Sequence, residues 1–144
     1  MGRVVFVDTS AWVSYFAERE QFHDEAVAAF EELAKEQSDL VTSDYVIAEV
    51  VTLLRRRAGL EEADKVWRLL ERGELADLVE VGPEHREAAR RVFRKFGQLP
   101  LSLVDCVSFA LMNELGVDTA VTFDGDFVKA GWNVLPGGGA KKRR

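Results

Sequence analysis

The chain contains 144 residues, of which 47% are hydrophobic and 31% are charged, and its formal net charge is −6. This length is typical of one domain, and this composition excludes an intrinsically disordered chain. There is no apolar run near 20 residues, no secretory signal and only one cysteine, a combination that predicts a cytoplasmic protein without a membrane span.

The acidic balance, taken alone, argues against nucleic-acid binding, because phosphates attract cationic surfaces. However, metal ions that bind a carboxylate cluster invert its local charge, so the balance does not exclude a metal-dependent nuclease. Cationic residues also occur in patches, of which the run Arg55, Arg56 and Arg57 lies in the middle of the chain. We interpret this run as a candidate surface for an RNA backbone.

The first predicted element is the short apolar run of residues 4–7, which ends abruptly at Asp8. Consecutive β-branched and aromatic residues are typical of a strand buried on both faces. Ser10 is predicted to cap a short helix that reaches about Glu18. A carboxylate at the carboxyl end of such a strand lies where open α/β sheets bind their ligands.

The remaining apolar patterns predict helices and strands in alternation. The helices are predicted at 22–36, from a cap at Ser43 or Asp44 to Arg57, at 60–72, at 83–96, at 103–115 and as a short turn or helix through Lys129; the strands are predicted at 40–42, 78–81, 119–123 and, at an edge, 132–135. Strands separated by helices favour an α/β fold, here a three-layer α/β/α sandwich with a mostly parallel sheet. We predict one domain over residues 1–136 and a disordered, Gly-rich, basic tail over residues 137–144.

Four acids fall where this topology brings side chains together, and a fifth follows closely. Asp8 and Asp124 each follow a predicted strand, and the carboxyl ends of parallel strands lie on one edge of the sheet. Glu49 lies at the border of the apolar face of its helix, and Asp126 lies two residues beyond Asp124. Asp105 interrupts an almost entirely apolar helix, so it requires a proton, a cation or a partner.

Carboxylates that lie close together repel one another unless a cation lies between them. Hard oxygen ligands favour Mg²⁺ or Mn²⁺, and two such ions about 4 Å apart can activate a water and stabilise the leaving oxygen in phosphodiester hydrolysis. Thr9, Ser10 and Thr122 are predicted to orient the acids or their waters. The acids therefore predict a metal-dependent phosphodiesterase site.

Each acid has a simpler explanation when it is considered alone. Asp8 could cap the first helix, Asp124 or Asp126 could belong to a turn, Glu49 could be solvated, and Asp105 could pair with a buried arginine. The hypothesis therefore depends on the whole set. A non-catalytic module that binds RNA or protein is the alternative.

An aspartate-nucleophile phosphatase is a third possibility. That chemistry requires a second acid two residues after Asp8, and Ser10 occupies that position.

Four segments carry a family resemblance, at residues 5–12, 43–50, 100–106 and 121–127. With these segments the sequence resembles the PIN-domain ribonucleases, and most closely the VapC-type toxins of toxin–antitoxin pairs. The segments follow the order of that family and extend over nearly the whole chain up to residue 136.

The resemblance implies an α/β/α sandwich and an Mg²⁺- or Mn²⁺-dependent endoribonuclease that uses Asp8, Glu49, Asp105 and Asp124. In this interpretation Asp8, Asp105 and Glu49 ligate one ion and Asp124 holds a second ion or a bridging water, while Asp126 matches a frequently acidic position. The resemblance also implies a homodimer and a small antitoxin that blocks the acidic pocket. The tail has no counterpart in the family pattern.

Overall fold

The structure is a computed structural model that describes residues 2–137. Over these residues the chain forms five strands and seven helices. The strands are β1 (Val4–Val7), β2 (Asp39–Ser43), β3 (Asp77–Val79), β4 (Thr119–Val121) and β5 (Asn133–Leu135). The helices are α1 (Thr9–Phe16), α2 (His23–Lys35), α3 (Asp44–Arg57), α4 (Leu60–Glu71), α5 (Pro83–Lys95), α6 (Leu103–Leu115) and α7 (Gly125–Lys129). Apart from Gly137, the predicted tail lies outside the described residues.

The strands form one sheet in the order β3-β2-β1-β4-β5, and the four pairings found within residues 2–137 are parallel. Strand β1 lies at the centre, where Phe6 is paired with Val41 on one side and with Ala120 on the other. Phe6 and its neighbours Val5 and Val7 are 0% exposed, which fits an apolar run covered on both faces.

The helices cover both faces of this sheet. Helix α1 packs against α2 and α3, α3 packs against α4, and α5 packs against α6. This grouping is the one expected from the right-handed rule for parallel strands, because the chain moves from β1 to β2 and β3 and then returns past β1 to β4 and β5. The predicted three-layer α/β/α sandwich is confirmed. Within residues 2–137, no helix is both long enough and apolar enough to cross a membrane.

The start of α1 differs from the prediction. The helix begins at Thr9 and ends at Phe16, and Asp8, not Ser10, occupies the N-cap position. The Asp8 side chain makes no capping hydrogen bond. The prediction of a Ser10 cap was wrong because the Ser10 hydroxyl bonds Asp8 and the chain after β4 instead.

The order of the strands reverses between β1 and β4. From β1 the chain first builds the sheet towards β3, and it later returns to the other side of β1 to add β4 and β5. In open α/β sheets a crevice forms at the carboxyl ends of the strands at this switch point, and ligands bind in it. Asp8 directly follows β1, and Asp124 lies three residues after the end of β4, so both acids lie at this crevice.

Candidate active site

A cleft of about 400 Å³ opens at the switch point. Five carboxylates line it, those of Glu20 and of the four predicted acids Asp8, Glu49, Asp105 and Asp124. The rest of the wall consists of four hydroxyl residues, one arginine, two aromatic rings and two aliphatic side chains: Thr9, Ser10, Ser14 and Ser102; Arg57; Phe22 and Phe123; Val13 and Leu53. The structure thus brings to one cleft the four acids that the sequence singled out.

Two hydroxyls hold the carboxylate of Asp8, which is 3% exposed. The Thr122 hydroxyl donates to Asp8 Oδ2 at 2.8 Å, and the Ser10 hydroxyl donates to the same oxygen at 3.1 Å. The same hydroxyl oxygens accept from backbone N–H groups, Thr122 from Asp124 at 3.0 Å and Ser10 from Phe123 at 2.8 Å. These bonds fasten the end of β1 to the segment after β4 and fix the direction of the Asp8 carboxylate.

A third hydroxyl holds Glu49 on α3. The Thr9 hydroxyl donates to Glu49 Oε1 at 2.8 Å, so the first residue of α1 positions an acid 40 positions away in the sequence. Helix α3 begins where the Ser43 hydroxyl accepts from the Val46 N–H at 3.1 Å. This cap sets the rotation of α3 and places Glu49, between buried Val46 and Val50, at the wall of the cleft.

Asp105 takes part in the start of α6 as well as in the cleft. The Ser102 hydroxyl accepts from the Asp105 N–H at 3.0 Å, and Asp105 Oδ2 accepts from the Ser102 N–H at 3.1 Å. This reciprocal capping box satisfies two N–H groups that a helix start otherwise leaves without a partner. It also locks the Asp105 side chain, which is 9% exposed, in one orientation.

Three carboxylates lie close enough to share one cation. Asp105, Asp124 and Asp126 each offer an oxygen, and these oxygens lie within 4.8 Å of one another. Asp124 Oδ1 accepts from the Asp126 N–H at 2.9 Å, which caps the short helix α7 and fixes Asp124. Lys129 is an ion-pair partner of this group, with its Nζ 4.0 Å from Asp126 Oδ1.

The site is electrostatically costly without a cation. Burial and, after it, the charges of Asp8, Asp124 and Glu49 together raise the pKa of Asp105 to about 7, although the hydrogen bond from the Ser102 N–H opposes the shift. Burial, with a smaller contribution from the charge of Asp124, raises the pKa of Asp8 to about 6 even though hydrogen bonds from Thr122, the Thr9 N–H and Ser10 lower it. The pKa of Asp124 is raised by burial and by the charge of Asp126. Clustered hard oxygens that repel one another are the donor set that suits a divalent cation.

The predicted arginine patch divides in the structure. Arg57 lines the cleft, where its Nη1 lies 2.8 Å from Glu20 Oε1. Arg55 and Arg56 are exposed and are not among the residues that line the cleft. Glu20 and Phe22 were not predicted as site residues, since Glu20 lies between α1 and α2 and Phe22, predicted as the first residue of the helix at 22–36, is the N-cap of α2.

The family model of the PIN domain matches residues 5–133, and the chain belongs to the PIN-domain family. Two relatives are proteins of Mycobacterium tuberculosis. The 23S rRNA-specific endonuclease VapC20 is 30% identical over 129 residues, which cover 90% of this chain and 95% of the relative. Ribonuclease VapC26 is 31% identical over 121 residues, which cover 83% of this chain and 86% of the relative.

Solved structures agree with this assignment. The crystal structure of Mycobacterium tuberculosis VapC20, a sarcin-ricin loop cleaving toxin, has a TM-score of 0.81 and 30% identity and covers 89% of this chain and 95% of its own. FitAcB from Neisseria gonorrhoeae shares the fold, with a TM-score of 0.63 at 19% identity over 90% of this chain and 95% of its own. Within the PIN-domain family, the similarity to VapC20 and VapC26 places this chain among the VapC-type members.

Proposed function

We propose that this chain is a metal-dependent endoribonuclease that hydrolyses RNA phosphodiester bonds and acts as the toxin of a toxin–antitoxin pair. The observation that carries this proposal is the convergence of Asp8, Glu49, Asp105 and Asp124 in one cleft at the switch point. The names of the relatives support it, because one is a 23S rRNA-specific endonuclease and another is a ribonuclease.

Asp8, Glu49, Asp105, Asp124 and Asp126 are the proposed ligands of Mg²⁺ or Mn²⁺. Asp105 is the residue that both parts of the site share: its oxygen lies within 4.8 Å of those of Asp124 and Asp126, and its pKa also responds to the charges of Asp8 and Glu49. When bound, such an ion lowers the pKa of a water nucleophile and stabilises charge on the phosphate oxygens.

The hydroxyls have a positioning role in this proposal. Thr122 and Ser10 hold Asp8, and Thr9 holds Glu49, so both carboxylates are oriented before an ion or a substrate arrives. Such partners typically change metal affinity or activity by about 10- to 100-fold when they are removed. The Ser102 N–H orients the carboxylate of Asp105 in the same way, by donating to its Oδ2.

The proposed partners follow from the acidic cleft and the family. An antitoxin that presents a basic side chain would neutralise the carboxylates and block RNA. The VapC20 relative suggests 23S rRNA as the first substrate to examine, and the family suggests a homodimer. A single domain over residues 1–136 remains part of the proposal.

The direct test is RNA cleavage by the purified chain with Mg²⁺ or Mn²⁺, compared with the same reaction in EDTA. RNA that contains the 23S sarcin-ricin loop and total cellular RNA serve as substrates, and the new 5′ ends are mapped by primer extension. We expect discrete cuts that EDTA abolishes and that Mn²⁺ restores. A folded protein that cuts none of these RNAs would favour the binding module, and cleavage that persists in EDTA would exclude the metal mechanism.

Arg57 is expected to bind an RNA phosphate at the rim of the cleft. A guanidinium has five N–H donors, so the contact with Glu20 leaves others for a phosphate oxygen. We expect Arg57→Gln to weaken single-stranded RNA binding and to reduce the slope of log affinity against log salt by about 0.7, the value for one phosphate contact. Fluorescence anisotropy at several salt concentrations measures both quantities.

Arg56→Gln is the matched control, since it removes the same charge one position away and outside the cleft lining. An equal loss of salt dependence in the two variants would show that Arg57 acts only through net charge.

A further inference from the structure

Two phenylalanine rings lie face to face in the wall of the acidic cleft. Phe22 and Phe123 have ring centroids 4.8 Å apart and ring planes within 2° of parallel. Both residues line the cleft and both are half-buried. An offset parallel arrangement of this kind is favourable for aromatic rings, and here it creates an aromatic wall beside carboxylates.

The demands of the hydrophobic core do not account for this position. By contrast, the close pair of Phe109 and Phe127, at 4.9 Å, consists of core side chains that are 1% and 0% exposed. Neither Phe22 nor Phe123 belongs to the core cluster or packs against it as a partly buried member. The pair therefore adds an aromatic surface to a cleft whose other walls carry acids, hydroxyls, an arginine and the apolar side chains of Val13 and Leu53.

The aromatic pair is fixed to the catalytic acids. The Phe123 N–H donates to the Ser10 hydroxyl at 2.8 Å, and that hydroxyl donates to Asp8 at 3.1 Å. Phe123 also directly precedes Asp124 in the chain. A phosphate held at these carboxylates would thus place a neighbouring base close to the rings.

We propose that Phe22 and Phe123 form a stacking subsite for a nucleobase next to the phosphate that is cleaved. The inference rests on the proposed function and adds a base-binding subsite to it. Every base has a π-face, so stacking on aromatic side chains tolerates sequence. Bases within a duplex have their faces covered, whereas bases in loops and single strands are free to stack on protein.

The test compares two oligomers that carry the same phosphates. One is a short fluorescent oligoadenylate, and the other is an abasic ribose-phosphate oligomer of equal length. Both are bound in EDTA, their integrity is checked on a gel, and affinity is measured by anisotropy. The parent chain should prefer the oligoadenylate by between about 5-fold and 150-fold, the range for one stacked base.

Phe22→Leu keeps an apolar side chain but removes the ring, so it should lose most of this preference without a change in salt dependence. Phe22→Trp should restore the preference, because a larger ring still stacks. The matched control is Phe93→Leu, since Phe93 is 58% exposed on α5 and does not line the cleft; it should behave like the parent. Should Phe22→Leu fail to fold by circular dichroism, Phe123→Leu replaces it.

A parent chain that binds both oligomers equally, or a folded Phe22→Leu that retains the full preference, would overturn the stacking subsite. The cleavage assay with Mn²⁺ separates this failure from a failure of the proposed function. Cleavage by the parent together with an unchanged preference in Phe22→Leu would refute the subsite alone. If the parent cuts no RNA but Phe22→Leu loses the preference for the oligoadenylate, the proposed nuclease is refuted and the base-binding subsite is retained.

Discussion

Asp105→Asn is expected to reduce RNA cleavage by at least about 100-fold, because loss of an outer-shell partner of a metal ligand already costs about 10- to 100-fold, and at the same time to stabilise the metal-free protein. The activity falls because asparagine is a neutral and weaker ligand than a carboxylate. The side-chain oxygen of asparagine can still accept the Ser102 N–H, so the cap of α6 persists.

The gain in stability has a separate cause. At about pH 8 the parent must fold with Asp105 ionised, although burial and the neighbouring carboxylates raise its pKa to about 7 from 3.8. One pKa unit corresponds to about 1.4 kcal/mol, so removal of the charge should add about 2 kcal/mol after allowance for coupling and partial solvation. This corresponds to a rise of about 5 °C in the melting temperature.

The two effects are measured on the same samples, by cleavage rate and by thermal unfolding in EDTA. Asp77→Asn is the control, since Asp77 is an exposed acid at the start of β3 and does not line the cleft; it should leave both values unchanged. Loss of activity together with a large loss of stability would mean that Asp105 is chiefly a structural cap. Full activity in a folded Asp105→Asn would remove it from the site.

Divalent cations are expected to stabilise the parent strongly at about pH 8 and weakly at about pH 5. The folded-state pKa values of Asp8 and Asp105 are raised to about 6 and about 7, above the ordinary value of 3.8. Between about pH 4 and about pH 7 the folded protein binds more protons than the unfolded chain. The stability of the metal-free protein therefore falls as the pH rises through this range. At about pH 5 bound protons neutralise Asp8 and Asp105, whereas at about pH 8 their negative charges are neutralised only when a cation binds.

Thermal unfolding with millimolar Mg²⁺ or Mn²⁺ and with EDTA measures this difference. A ligand at about 100 times its dissociation constant adds about 2.7 kcal/mol, which raises the melting temperature by several degrees in a chain of this size. Asp105→Asn should show a much smaller rise at about pH 8. A rise that is equal at the two pH values, or equal in the two proteins, would place the cation at another site.

The fold was predictable from the sequence because its strongest signals are local and consistent. The apolar run before Asp8 and the almost wholly apolar helix α6 must each be buried on all sides. Each is therefore predicted to lie in the interior of a layered α/β structure. The observed β1 and α6 match the predicted ranges, and α6 ends at Gly116 in the left-handed conformation with φ of 69°. The parallel sheet follows once helices separate the strands.

The parts that were not predictable depend on tertiary contacts. Ser10 has the sequence features of a helix cap, but its hydroxyl bonds the Phe123 N–H and the Thr122 hydroxyl, both in the chain after β4. These tertiary hydrogen bonds replace the local capping bond. Similarly, nothing in the run of three arginines shows that only Arg57 reaches the cleft lining. Glu20 and Phe22 lie between the end of α1 and the start of α2 and line the cleft. This placement depends on tertiary packing, which a pattern of neighbouring residues does not reveal.

The acids illustrate both cases. Asp105 was conspicuous in the sequence because an ionised group among apolar residues needs an explanation. The division of work between Asp124 and Asp126 could not be predicted, because both lie in the short turn into α7. In the structure Asp124 caps that helix and Asp126 contributes an oxygen to the same three-carboxylate group.

Calorimetric titration with Mn²⁺ at about pH 8 is the most direct test that the carboxylates at the switch point hold a divalent cation. The parent chain and Asp77→Asn should bind Mn²⁺ in a saturable manner, with the same stoichiometry. Asp105→Asn should bind it at least about 10-fold more weakly. Absence of binding to the parent at millimolar Mn²⁺, or equal binding to Asp105→Asn, would contradict the account.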